Sequence, residues 1–225
     1  MSNRWDWVEL ISIYLGINLA LKILDESRSI SWIHEYFNVL VASIQLYIPL
    51  GILLLRKKNL YDSGITIYHW KKAIGGVLIL MGALLIPYAF GFYLYHSFFL
   101  KRFLSLRWDF PEAFWQAILF QIFFVALPEE FFFRGYLQGR LNSLFPKKLV
   151  LVGRLQLTSG TIIVSLLFAL SHVWIIPQIH RLAVFFPSLL FGWLRDRYQT
   201  LTGSILFHAT CNLLNLFLWT ALALH

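Results

Sequence analysis

Long apolar stretches alternate with short polar ones along the whole chain. Seven of the apolar stretches, at about 8–24, 37–55, 73–95, 113–127, 160–176, 182–194 and 202–222, predict helices. A bilayer core asks for about 20 apolar residues per crossing, and most of these stretches approach that length. The fourth and sixth are short, so the expectation is that one or both tilt, kink or extend into flanking residues. The segment 149–160 is ambiguous: it is apolar but broken by Arg154, and reads as an interfacial segment or an early start to the fifth helix. No small-residue cleavage site follows the first stretch, which predicts a retained anchor rather than a leader. Nothing resembling an internal repeat, a low-complexity tract or a Pro/Gly/Ser linker divides the chain. The expectation is one all-α domain over 1–225, a polytopic transmembrane bundle of about seven spans, with six to eight compatible.

Composition removes the soluble alternative. Of the 225 residues, 59% are hydrophobic, 18% aromatic and 13% charged. Soluble domains carry roughly 45–50% apolar and about 25% charged residues. One core of this size could not hide so much Phe, Trp and Leu from water. The partner implied first is the lipid bilayer, and the expected location is multi-pass in a membrane, taken as the cytoplasmic one.

The net charge of +8 changes less than it suggests. It is distributed as topology demands, with no basic cluster interleaved with exposed aromatics, so nucleic acid is not an expected partner. One side of the predicted spans collects Arg4, Arg56, Lys57, Lys58, Lys71, Lys72, Arg134, Arg140, Lys147, Lys148, Arg154, Arg195 and Arg197. The other has Arg28, Lys101, Arg102, Arg107 and Arg181. Thirteen against five predicts a cytosolic N-terminus and, with seven spans, a C-terminus outside. The lone cysteine, Cys211, excludes an internal disulfide and any cysteine-based metal cluster.

Ionisable groups at membrane depth mark function by default. Glu9 and Lys22 lie near opposite ends of the first span, where each can reach an interface by snorkelling. Glu129 and Glu130 follow Pro128 at the end of the fourth. On a helix Glu130 and Arg134 are i, i+4 and pair, whereas Glu129 points about 100° away and lacks that partner. Glu129 is therefore either a candidate general base or a loop carboxylate beside a helix-terminal salt bridge. His172 is the only ionisable side chain in its span and reads equally as a packing residue. His208 and Asn212, again i, i+4, supply two donors to one face, suited to a developing oxyanion or to interhelical hydrogen bonding. A rise of about 1.5 Å per residue puts His208 roughly 10 Å, Asn212 roughly 15 Å and His172 roughly 18 Å from the N-terminal side. Glu129 can join them only if the fourth helix runs on past Pro128.

The ordered motifs Glu129-Glu130…Arg134, Phe168…His172 and His208…Asn212, with Thr-Gly-Ser leading into the last helix, resemble the CAAX protease and bacteriocin-processing family of membrane endopeptidases. The match covers about 128–212 within a motif-bearing region of about 113–222. The first three spans carry no signature of that family. The resemblance implies a glutamate-type intramembrane endopeptidase acting on a membrane-anchored protein or peptide. In it Glu129, helped by His172, activates water, His208 and Asn212 stabilise the oxyanion, and Arg134 orients the glutamates through Glu130. It implies no cofactor. Zinc held by Glu129, His172 and His208 is a competing but disfavoured arrangement, since no His-Glu-x-x-His motif is present. A non-catalytic immunity factor or assembly scaffold is the other alternative. The four residues Glu129, His172, His208 and Asn212 are expected to converge on one cavity open to the cytosolic half.

Overall fold

The apolar stretches fold as a helical bundle in a computed structural model that describes residues 4–66, 68–99, 101, 104–106, 113–146, 148–152 and 155–224. Helices α1 (Arg4–Glu26) and α2 (Ser31–Leu55) are joined by a tight turn. α3 (Trp70–Leu94) continues into a π-helical turn, Tyr95–Phe99, and is followed by a short strand, β1 (Leu104–Leu106). α4 runs from Phe114 to Leu144, 31 residues, and is the longest element. A hairpin of β2 (Lys148–Val152) and β3 (Leu155–Thr158) leads into α5 (Ser159–Ile175). A 3-10 turn, Ile179–Val184, precedes α6 (Phe185–Tyr198), and α7 (Thr202–Ala221) ends in β4 (Leu222–Leu224), paired antiparallel with β1. Among the described residues there are thus seven helices, one for each apolar stretch, and the fold is all-α apart from two short ribbons.

Ion pairs tie the bundle at both ends. Arg140 pairs with Asp6 at 2.5 Å and Arg56 with Glu9 at 2.8 Å, while the Tyr136 hydroxyl donates to Glu9 at 3.2 Å. These contacts gather the start of α1 with the ends of α2 and α4. At the opposite end Lys22 pairs with Glu26 and donates to the Ile175 carbonyl at 3.2 Å, filling an acceptor left open by the last turn of α5. Glu9 and Lys22 are therefore helix-end charges, as expected, and both are partnered.

Side chains such as Leu15, Leu19, Ile79, Ile86 and Phe90 face outward, Ile86 with 75% of its surface free. So broad an apolar exterior belongs in hydrocarbon. The protein is integral to a membrane: α1, α2, α3 and α4 are each long and apolar enough to cross it. Inward, α4 is the axis. Every residue from Phe131 to Gly139 is buried, and Phe132, Tyr136 and Leu137 pack with Ile17 of α1, Leu53 of α2 and Phe168 of α5.

Four sequence expectations change. The fourth helix does not stop at 127 but continues through Pro128 to Leu144, because α4 alternates α and π segments, with π turns at Gln121–Ala126 and Phe131–Gln138. The wider π turn before Pro128 accommodates a residue that has no N–H and whose ring crowds the carbonyl four residues back. The ambiguous 149–160 segment is neither interfacial helix nor an early α5. Its β-branched Val150 and Val152 lie in the hairpin, and α5 starts at Ser159, capped by the Thr158 hydroxyl accepting from the Thr161 N–H at 3.0 Å. The sixth stretch is short as expected, at 14 residues, but lies at Phe185–Tyr198 rather than 182–194, because residues 179–184 form the 3-10 turn. Finally Arg134, counted above as a loop charge, is completely buried, so it says nothing about orientation. Of the other residues used for orientation, Arg102, Arg107, Lys147 and Arg154 lie outside the described residues.

The short α6 sits unusually close to its neighbours at Gly192. A Cβ there would come 2.6 Å from the Thr161 methyl of α5 and 2.8 Å from Gln138 Oε1 of α4. Gln138 Nε2 uses the space to donate to Thr161 Oγ1 and to the Gly192 carbonyl, at 3.1 and 3.0 Å. Small residues that let membrane helices touch are costly to enlarge. Gly192→Ala is expected to lower stability by about 1–3 kcal/mol. Gly82→Ala on α3, with nothing within 4 Å of the added carbon, should leave it unchanged or higher. Thermal unfolding of both variants in one detergent checks the contrast.

Candidate active site

The site begins with two adjacent carboxylates that α4 sends in different directions. Glu130 is fully buried and accepts from Arg134 Nη1 at 3.0 Å, the i, i+4 pair anticipated from the spacing. The second nitrogen of Arg134 reaches α6, donating to Ser188 Oγ at 2.5 Å and to the Ser188 carbonyl at 3.2 Å. Its guanidinium lies 4.5 Å from the Phe168 ring centre and 5.2 Å from that of Phe191. Arg134 thus joins α4, α5 and α6 through one planar charge, a task that suits a guanidinium better than an ammonium.

Glu130 also receives α7. His208 Nδ1 lies 2.9 Å from the same Glu130 Oε1 and, facing a carboxylate, acts as the donor. The imidazole stacks on Phe191, ring centres 4.8 Å apart and 11° from parallel. Its other nitrogen, Nε2, stands 3.8 Å from Glu129 Oε2. The result is a continuous chain, Arg134–Glu130–His208–Glu129, in which every member except the last is hydrogen-bonded. Glu129 Oε2 is buried and makes no hydrogen bond among the described residues.

On the other side of Phe168 is His172. Its Nδ1 lies 2.9 Å from the Phe168 carbonyl, which can only accept, so Nδ1 carries the proton and neutral Nε2 keeps a lone pair. Phe168 meets His172 at 4.4 Å and His208 at 5.8 Å, ring centre to ring centre, and stands between the two imidazoles. Ser171 is bonded to Tyr14 of α1 at 3.1 Å and braces this turn of α5 from behind.

Glu129 and His172 line one cavity of about 160 Å³. Its walls include Asn18 and Leu21 of α1, Gln45 of α2, Phe132, and Arg181. The cavity sits at the end of the bundle where α1 and α5 terminate, opposite the end that carries Asp6, Arg56 and Arg140. This overturns the expectation of an opening toward the N-terminal, basic side. The reason is the length of α5: at 17 residues it spans about 25 Å, so a residue some 18 Å from its start is already near its far end.

Of the four residues expected on one cavity, only Glu129 and His172 line it; His208 stands behind Glu129, and Asn212 is farther off. It sits one turn beyond His208 on α7 and donates through Nδ2 to Gln121 Oε1 of α4 at 3.0 Å. The structure thus brings Glu129, Glu130, Arg134, Phe168, His172 and His208 into one cluster and leaves Asn212 at its edge. Ser188, Phe191, Gln121, Asn18 and Gln45 escaped the sequence reading. Each polar one is a lone hydroxyl or amide in an apolar run, a signal that ordinary interhelical hydrogen bonding produces as well. Among the described residues no group of three His, Cys, Asp or Glu side chains is placed to hold a metal ion.

Residues 110–214 match the family model described as Type II CAAX prenyl endopeptidase Rce1-like. The chain carries an Rce1-like region. The match holds every residue of the cluster and of the three motifs, so it bears out the resemblance drawn from them, and it leaves α1, α2 and α3 outside. Neither the curated proteins nor the solved structures contain a match to the chain.

The buried pair makes a sharp prediction. Arg134→Met strands the Glu130 charge and is expected to cost about 3–5 kcal/mol. Combining it with Glu130→Gln should recover part of that loss, because the uncompensated charge is then gone. Chemical unfolding of the single and double variants in micelles measures the coupling.

Proposed function

We propose that this protein is an intramembrane endopeptidase of the CAAX-protease type, hydrolysing a peptide bond of a membrane-anchored protein or peptide. The observation that carries the reading is the contrast between the two glutamates. Glu130 is fully buried, with Oε1 held by both Arg134 and His208, and does not line the cavity, while Glu129, whose Oε2 makes no hydrogen bond among the described residues, lines it beside His172.

In this mechanism a water between Glu129 and His172 gives its proton to the Glu129 carboxylate as its oxygen attacks the scissile carbonyl carbon. The unprotonated Nε2 of His172 accepts the water's second hydrogen bond and fixes its direction. The carbonyl oxygen becomes an oxyanion, stabilised by Asn212 and by His208 in its imidazolium form, in which Nδ1–H stays on Glu130 and Nε2–H donates to the oxyanion. An asparagine amide has two N–H donors, and Gln121 occupies one, so the other serves the oxyanion. Collapse of the tetrahedral intermediate breaks the C–N bond, and the proton on Glu129 passes to the leaving amine. Arg134 and Glu130 act through His208: they hold the imidazole in place and keep its charge balanced. No metal or other cofactor takes part.

A membrane location suits this chemistry. The helices exclude lipid and bulk water from the cluster while the cavity admits an unwound segment, and preorganised donors act strongly in such surroundings.

The test uses purified protein in nanodiscs with farnesyl-cysteine reporter peptides and their unprenylated counterparts. Glu129→Gln is expected to reduce cleavage by at least about 100-fold, and His172→Ala by a comparable factor, with melting temperatures near wild type. Activity should survive dialysis against a strong chelator; a loss that added zinc restores would replace this mechanism with a metal-dependent one. In cells, comparative proteomics of wild type and Glu129→Gln should show a substrate accumulating uncleaved. Full biological function in both variants would instead assign the protein to a non-catalytic role.

A further inference from the structure

The cavity is not built by the Rce1-like region alone. Two of its wall residues, Asn18 and Gln45, come from α1 and α2, outside the matched stretch 110–214. Both side chains are nearly inaccessible, at 5% and 4% exposure, yet Asn18 Oδ1 and Gln45 Oε1 have no hydrogen-bond partner among the described residues. Asn18 spends its Nδ2 on the Tyr14 carbonyl of its own helix at 2.8 Å, which leaves the oxygen for something else. Buried acceptors without donors are rare because each forfeits its hydration, and those that persist have a reason.

Resting on the peptidase reading, we propose that Asn18 and Gln45 are substrate-positioning residues: their amide oxygens accept hydrogen bonds from main-chain N–H groups of an extended peptide segment lying across Glu129. Two unfilled acceptors select an occupant with N–H donors in series, which an extended peptide has and an acyl or prenyl chain does not. The apolar lining from Leu21, Phe132 and Ile175 accepts the side chains between them. Catalytic groups thus come from α4, α5 and α7, and substrate registration comes from α1 and α2.

The experiment compares wild type with the near-isosteric Asn18→Leu and Gln45→Met on a farnesyl-cysteine reporter peptide and its unprenylated counterpart. Each substitution removes an unsatisfied oxygen, so thermal stability should hold or rise. KM should increase roughly 3–10-fold, the worth of one hydrogen bond, while kcat stays within about twofold. Methylating the peptide's backbone nitrogens one at a time should weaken wild-type binding at two positions. Each of these methyl groups should cost nothing further in the variant that lacks its acceptor. Peptide binding measured by fluorescence anisotropy on a Glu129→Gln background reads the same effect without turnover. If wild type binds but does not cleave, and the variants bind more weakly, positioning stands and the peptidase reading falls. Unchanged KM and affinity in both variants overturn the proposal, as does a folded wild-type protein that binds neither peptide. A fall in stability that accounts for lost activity overturns it too, since that marks a structural role.

Discussion

A single buried ion pair organises the functional half of this protein. Arg134 and Glu130 are both shut away from solvent, an expensive placement that the contacts of Glu130 Oε1 and of the two Arg134 Nη atoms must offset, since Glu130 Oε2 and Arg134 Nε have no partner among the described residues. The arrangement spreads that demand over four helices: α4 supplies both charges, α6 supplies Ser188 and Phe191, α5 supplies Phe168, and α7 supplies His208. Each helix is thereby held to a common point by polar and aromatic contacts, which matters in lipid, where apolar surface alone does not favour one helix pairing over another. Adjacent carboxylates consequently have separate roles: Glu130 ties α4 to α7 through His208, and Glu129 is left on the cavity wall.

Those roles depend on α4 being a single helix with an irregular pitch. Its two π segments flank Leu127–Glu130 on both sides, so the glutamates sit in a short α-helical stretch between wider turns. Pro128 marks the join. π turns tend to occur where a helix must display particular side chains at some cost in regularity, and the second of the two in α4 is stabilised by the complete burial of Phe131–Gln138 rather than by its own backbone.

Much of this was legible in the sequence, and the shortfalls have physical causes. Seven apolar stretches became seven helices because hydrophobic runs of that length have few other solutions in a bilayer. The Glu130–Arg134 pair, the isolation of Glu129 and the i, i+4 relation of His208 to Asn212 followed from helical spacing. Spacing could not say which neighbour each side chain meets: Asn212 finds Gln121, and Ser188 finds Arg134, across helices far apart in sequence. Nor could hydropathy see past Pro128, since the polar composition of 129–144 reads as a loop although it forms the most buried turns of the bundle. The same effect misdirected Arg134 into the count of loop charges. The cavity's end was misjudged because helix boundaries, on which depth depends, are poorly marked in apolar sequence.

The irregular pitch of α4 has a consequence for the length of the chain itself. Gln121, which holds Asn212, and Glu129, which faces His208, are separated by a π segment, so their relative direction depends on how many residues lie between them. Deleting one residue there would let the helix relax to regular α geometry and swing everything upstream by about 100° relative to the glutamates. Substitutions in that interval leave the angle intact, whereas insertions and deletions change it. The stretch between the two residues therefore acts as a gauge: its count of residues carries information that their identities do not.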